Sequence, residues 1–169
     1  MPYNQSQMPN NSAFIDGQNI HLGINALGWK LDWKNFRLHL QRHYDVTRAY
    51  IFIGFLQENQ SLYRSLQSYG YILIFKQVMY RQGKKPKGNV DAELVLQTMI
   101  DYDLYDRAVI VTSDGDFACL VQYLYEQKKL ERVLSTETHA CSALLKKAAR
   151  EKIGFLVEVR EKLEYKNKK

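Results

Sequence analysis

Short apolar runs that recur between helical patterns constrain this chain more than any other feature. Residues 49–55 (Ala-Tyr-Ile-Phe-Ile-Gly-Phe) and 108–112 (Ala-Val-Ile-Val-Thr) are apolar almost without a break. A strand that is hydrophobic on both faces has to be covered on both faces, the environment of a parallel sheet sandwiched between helices. Strands are predicted over 13–15, 49–55, 71–75, 108–112, 132–134 and 155–159, and helices over 32–44, 58–69, 90–102, 116–127 and 140–152. Asp32 and Asn89 stand where N-caps are expected, and Gly70 where a helix ends. The expected fold class is α/β: a three-layer α/β/α sandwich with a mostly parallel central sheet and Rossmann-like topology.

The length, 169 residues, suits one domain. Its expected limits are residues 12–160, after an Asn- and Gln-rich arm over 1–11 and before a basic, solvated tail over 161–169. No apolar run approaches a membrane span, and no signal peptide opens the chain. The two cysteines, Cys119 and Cys141, form neither a CxxC motif nor a zinc spacing. Both are expected to stay reduced, Cys119 as a buried thiol, so the expected compartment is cytoplasmic. A net charge of +6 favours a polyanionic partner weakly, since such an excess also serves plain solubility.

In open α/β sheets the ligand site lies at the carboxyl ends of the strands, near the point where strand order reverses. The first strand ends in Ile15-Asp16-Gly17-Gln18-Asn19, and the fourth in Val111-Thr112-Ser113-Asp114-Gly115-Asp116-Phe117. If those strands are neighbours, Asp16, Asp114 and Asp116 meet at one edge, because adjacent strands lie only about 4.8 Å apart. Clustered carboxylates repel, and a hard divalent cation, Mg²⁺ or Mn²⁺, relieves that repulsion. Gly17 and Gly115 are expected to let the backbone turn tightly beside the acids. A third stretch, Lys84-Lys85-Pro86-Lys87-Gly88-Asn89-Val90-Asp91, runs a basic loop into a helix whose first turn carries Asp91. Acids that hold metal beside lysines that hold neighbouring phosphates suit a phosphodiester substrate. Taken singly, each piece also has a structural role: a turn at Asp16, a cap at Ser113 or Asp114, a helix-dipole partner in Asp91, a solvated loop at the lysines.

Three of these elements together resemble the NYN domain family, a branch of the PIN-like nucleases. They are Phe14-Ile15-Asp16-Gly17-Gln18-Asn19, Lys87-Gly88-Asn89-Val90-Asp91 and Thr112-Ser113-Asp114-Gly115-Asp116-Phe117, matching in order and spacing over roughly residues 12–159. The resemblance implies a PIN-like sandwich and Mg²⁺- or Mn²⁺-dependent cleavage of RNA. It assigns metal and catalytic roles to Asp16, Asp91, Asp114 and Asp116, and a polar role near metal or phosphate to Asn19. Ser113 is a weaker carry-over that orients an acid or meets phosphate. One departure stands out: the family's late helix often carries an acid after its alanine, and here Arg150 follows Ala149.

The expected reaction is metal-assisted hydrolysis of RNA, single-stranded or structured, with no covalent protein nucleophile. Lys84, Lys85 and Lys87 would hold the flanking backbone and Tyr80 would stack on a base. The histidines, His21 included, are not needed by an oxygen-rich site. A homo-oligomer is compatible with this reading but no motif demands one. Two alternatives stay open. One is a domain of the same fold that binds RNA without cutting it. The other is a Mg²⁺-dependent phosphatase or Toprim-like enzyme. Toprim sites place a glutamate where Asp16 stands, and haloacid-dehalogenase-like phosphatases need an aspartate where Gln18 stands.

Overall fold

The computed structural model describes residues 7–55, 57–77, 83 and 89–167. Six strands, β1 (Asn11–Asp16), β2 (Val46–Phe55), β3 (Tyr71–Gln77), β4 (Ala108–Val111), β5 (Leu130–Ser135) and β6 (Ile153–Phe155), form one sheet in the order β3-β2-β1-β4-β5-β6. Every pairing is parallel. The helices are α1 (Gly17–Ala26), α2 (Trp33–Tyr44), α3 (Gln60–Ser68), α4 (Asp91–Ile100), α5 (Ala118–Glu126), α6 (Ala143–Ala149) and α7 (Arg160–Leu163). Short 3-10 turns precede α3 (Gln57–Asn59), α5 (Gly115–Phe117) and α7 (Leu156–Val159).

Period-two alternation along the strands builds two cores. Ala13, Ile15, Ala49, Ile51, Val109 and Val111 face one side with Ile20, Ile24, Phe36 and Leu40 of α1 and α2. Phe14, Tyr50, Phe52, Ala108 and Ile110 face the other with Leu94 of α4, Leu120 and Leu124 of α5 and Leu145 of α6. Burying one Val, Leu, Ile or Phe side chain is worth roughly 1.5–3 kcal/mol, so both helical layers are driven onto the sheet.

Several elements differ from expectation. Helix α1 was not foreseen, because two glycines and two asparagines in Gly17–Ala26 hide its pattern. Ile20 and Ile24, four apart and fully buried, hold it to the sheet. The last strand is Ile153–Phe155 rather than residues 155–159. Its partner β5 ends at Ser135, the register closes at Ser135↔Phe155, and Leu156–Val159 coils away. Cys119 is exposed, whereas Cys141 is buried. Helix α5 buries Leu120, Val121 and Leu124, which leaves Cys119 off that face. At the chain ends, Asn10 donates its N–H to Asp106 at 2.8 Å, and the side chain of Asn11 donates to the Tyr44 carbonyl at 2.8 Å. The tail expected to be solvated over 161–169 is anchored at its start, where Leu163 is fully buried and Glu164 bridges Leu31, and exposed over 165–167. Among the described residues no helix is long and apolar enough to cross a membrane.

Candidate metal centre

Strands β1 and β4 are neighbours, with Ile15 opposite Val111. From this central pair the sheet grows outward in both directions, β2 and β3 beyond β1, β5 and β6 beyond β4. Chains leaving the two strands therefore diverge and open a crevice at their carboxyl ends. Asp16, the last residue of β1, lies in it with 5% of its surface exposed. It also caps α1, accepting the Asn19 N–H at 3.4 Å. The glycine that follows is required by space, not by a left-handed turn, for neither Gly17 nor Gly115 has positive φ. A Cβ on Gly17 would meet Ile53 Cγ2 at 2.5 Å and Ile51 Cγ2 at 2.8 Å. A Cβ on Gly115 would meet Ser142 Oγ at 2.3 Å.

The β4 end supplies the second acid. Asp114 accepts the Asp116 N–H at 2.9 Å, which fixes its carboxylate over the 3-10 turn. Its own N–H donates to Thr112 Oγ1 at 3.1 Å, and the Thr112 hydroxyl donates to Asp16 Oδ2 at 3.3 Å. Thr112 is fully buried and so ties the two acids together. The third acid arrives on α4, which packs against β1 and the Gly115–Phe117 turn. The N-cap of α4 is Val90 rather than Asn89, but Asn89 one residue earlier still takes up a first-turn N–H, its Oδ1 accepting from Asp91 at 2.8 Å. Lys76 at the end of β3 pairs with Glu93 at 3.5 Å and donates to the Asn89 carbonyl at 2.5 Å. This holds the start of α4 to the sheet.

Asp16, Asp91 and Asp114 each offer a carboxylate oxygen, and the three oxygens lie within 4.8 Å of one another. Asp116 is exposed and does not join that mutual cluster, though its carboxylate reaches Asp91. Asn19 lies alongside, with its side-chain oxygen accepting the Ser113 N–H at 2.9 Å. The Ser113 hydroxyl turns away from the acids to Ser135 at 2.7 Å and Thr136 at 3.2 Å. The Ser113 carbonyl accepts the N–H of Ser142, the cap of α6. Lys84, Lys85, Lys87 and Tyr80 lie outside the described residues. Thr112 and the Ser135–Thr136 brace were missed as functional positions. Their only local signal was a run of hydroxyl residues at two strand ends.

Burial pushes the Asp16 carboxyl up to about 6, and the Asp91 and Asp114 charges add to that against the Asn19 N–H and the Thr112 hydroxyl. Asp91 is also raised, by burial first and then by Asp114 and Asp116, with Asn89 opposing. Asp16 and Asp91 are thus disfavoured as anions, and a divalent cation reverses the balance. The donor set fits Mg²⁺ or Mn²⁺: the atoms are hard oxygens, and ligands about 2.1 Å from such an ion sit roughly 3–4 Å from each other. The mutual limit of 4.8 Å lies close to that range.

Comparison with known proteins bears on the family and the fold. A model of the NYN domain matches residues 12–155. The low amplitude and bright protein LabA of Synechococcus elongatus is 24% identical over 136 residues, which span 75% of this chain and 73% of that protein. A crystal structure of a protein of unknown function from Vibrio parahaemolyticus superposes with a TM-score of 0.77 at 19% identity, covering 95% of this chain and 99% of that one. The fold fits the PIN-like α/β/α sandwich.

Proposed function

Because the chain belongs to the NYN domain family, whose members are typically nuclease-like, we propose that it is a Mg²⁺- or Mn²⁺-dependent ribonuclease. The observation that carries this reading is the convergence of Asp16, Asp91 and Asp114 at the sheet's switch point. An RNA-binding domain with no chemistry to perform gains nothing from negative charge at the centre of its crevice, since the ligand is itself polyanionic.

In this reading Asp16, Asp91 and Asp114 hold the ion, and Asp116 serves from the rim. A divalent ion bound there supplies Lewis-acid polarisation of a phosphodiester and lowers the pKa of water. The protein's own part is to fix the acids. Thr112 locks Asp16 to Asp114, the Asn89 side chain holds the Asp91 N–H, and Asn19 pins the β4 turn through Ser113. The Asn19 side-chain N–H₂ is left to meet a water or a phosphate. Lys84, Lys85 and Lys87 hold the backbone beside the scissile bond, and Tyr80 stacks on a base. The free thiols accord with a reducing, cytoplasmic setting.

The test is cleavage of a labelled mixed-sequence single-stranded RNA with Mn²⁺, Mg²⁺ or chelator, alongside Asp16→Asn and Asp114→Asn. Metal-dependent products that vanish in both folded variants are expected. RNA binding without cleavage under any metal, equal in wild type and variants, would replace the reading with a non-catalytic RNA-binding domain.

A further inference from the structure

A groove of about 400 Å³ runs between α5 and α6, lined on one side by Cys119, Gln122 and Tyr125 and on the other by Leu144, Lys147 and Arg150. One end of it adjoins the Gly115–Phe117 turn that carries Asp116. The Cys119 thiol is 4.0 Å from the Asp116 carbonyl, and Leu144 follows the Ser142 cap that closes over Gly115. Arg150 ends α6 at φ 54 and ψ −126, a backbone conformation that favours glycine. A side chain at such a position is strained. Here it lays a guanidinium over the Tyr125 ring, 4.7 Å from the centroid. The Tyr125 hydroxyl is held by Glu151 at 2.9 Å, so the ring is fixed from its far end. Among the described residues neither Lys147 nor Arg150 makes an ion pair within 4 Å. Glu126, also on the groove, is taken up by Gln122 at 3.0 Å.

We propose that this groove receives the single-stranded RNA flank that leaves the metal site, with a base stacked at the Tyr125–Arg150 pair and its phosphates met by Lys147 and Arg150. The proposal rests on the ribonuclease reading for the identity of its ligand. Three observations favour nucleic acid: the groove adjoins the turn that carries Asp116, its Lys147 and Arg150 make no ion pair within 4 Å among the described residues, and its aromatic–guanidinium platform suits any base.

Cys119 gives a direct readout, because it is exposed in the groove while Cys141 is buried. Maleimide alkylation of Cys119 is followed in chelator, with and without a saturating fluorescein-labelled 12-nucleotide single-stranded RNA, and RNA affinity is measured by anisotropy. Bound RNA is expected to slow alkylation about fivefold or more. Tyr125→Ala should weaken RNA binding about tenfold and Tyr125→Phe should restore it, as for stacking. Arg150→Gly relieves the backbone and so keeps the fold. It should weaken binding and flatten its salt dependence by about one phosphate contact. Mn²⁺ affinity, read by calorimetry, should stay at the wild-type value in all three variants. RNA that binds and is cleaved while Cys119 reacts at its free rate overturns the groove and leaves the ribonuclease intact. No RNA binding by wild type, with or without Mn²⁺, overturns both.

Discussion

Replacing Asp16 by Asn should stabilise the metal-free protein while destroying its response to metal. Asp16 is buried, and its carboxyl titrates near 6 in the fold against about 3.8 when solvated. A folded pKa above the unfolded one means that the native state binds the proton more tightly. Ionisation therefore opposes folding: the carboxyl does no harm below pH 3.8, and stability falls as pH rises toward 6. A shift of about 2 units at about 1.4 kcal/mol per unit places the full penalty near 3 kcal/mol at pH 7. Asn keeps one oxygen to cap α1, for which Asn and Asp are equivalent, while its amide N–H₂ replaces the acceptor that met Thr112 and has to donate to that hydroxyl instead, so the substitution removes the charge and reverses one hydrogen bond. After the cost of burying an amide, a gain of about 1–3 kcal/mol is expected, a Tm rise of roughly 3–10 °C for a domain of this size. The assay is thermal unfolding in chelator from pH 4 to 7.5, repeated with Mn²⁺. The variant should melt higher at pH 7.5, the gap should close by pH 4, and only wild type should gain stability as Mn²⁺ is added. A variant that melts lower than wild type at pH 7.5 in chelator would refute the argument, because the charge would then not be a burden awaiting an ion.

Three further outcomes follow from the same geometry. Gly17→Ala forces a methyl onto Ile51 and Ile53 of β2; overpacking of this kind costs about 1–3 kcal/mol, and an unchanged urea midpoint would show that the contact yields freely. Thr112→Val keeps the shape but strips Asp16 of a donor and the Asp114 N–H of an acceptor; a loss of about 1–2 kcal/mol with weaker Mn²⁺ binding is expected, and Thr112→Ser should recover both. Mn²⁺ affinity measured by calorimetry should fall as pH drops through about 6, where Asp16 takes up its proton; an affinity flat between pH 5 and 7.5 would remove Asp16 from the ligand set.

Most strands were legible in the sequence because their centres are short apolar runs, and burial on both faces is a local demand on composition. The strand-end acids were legible for a related reason: the fold class alone dictates which edge carries a site. Helix α1 was not, since its propensity is poor and only the packing of Ile20 and Ile24 decides its state. The last strand was misjudged because Phe155 to Val159 reads as a strand by alternation, while its length is set by where β5 stops. Exposure of Cys119 depended on which face of α5 meets the sheet, a tertiary matter.

The candidate site divides in the same way. The sequence alone determined that Asp16, Asp91 and Asp114 stand at strand and helix ends, because those ends are written in local pattern. The tertiary structure decided that they meet. Thr112 reaches Asp16 across 96 residues only because β1 pairs with β4 in one register, and Asp91 joins them only because α4 crosses that pair. It also left Asp116 outside the mutual cluster, in reach of Asp91, and committed Ser113 to Ser135. Position along a chain is a one-dimensional property that apolar periodicity can encode. Distance between side chains depends on register, crossing and the room a missing Cβ leaves, and these exist only once the layers have packed.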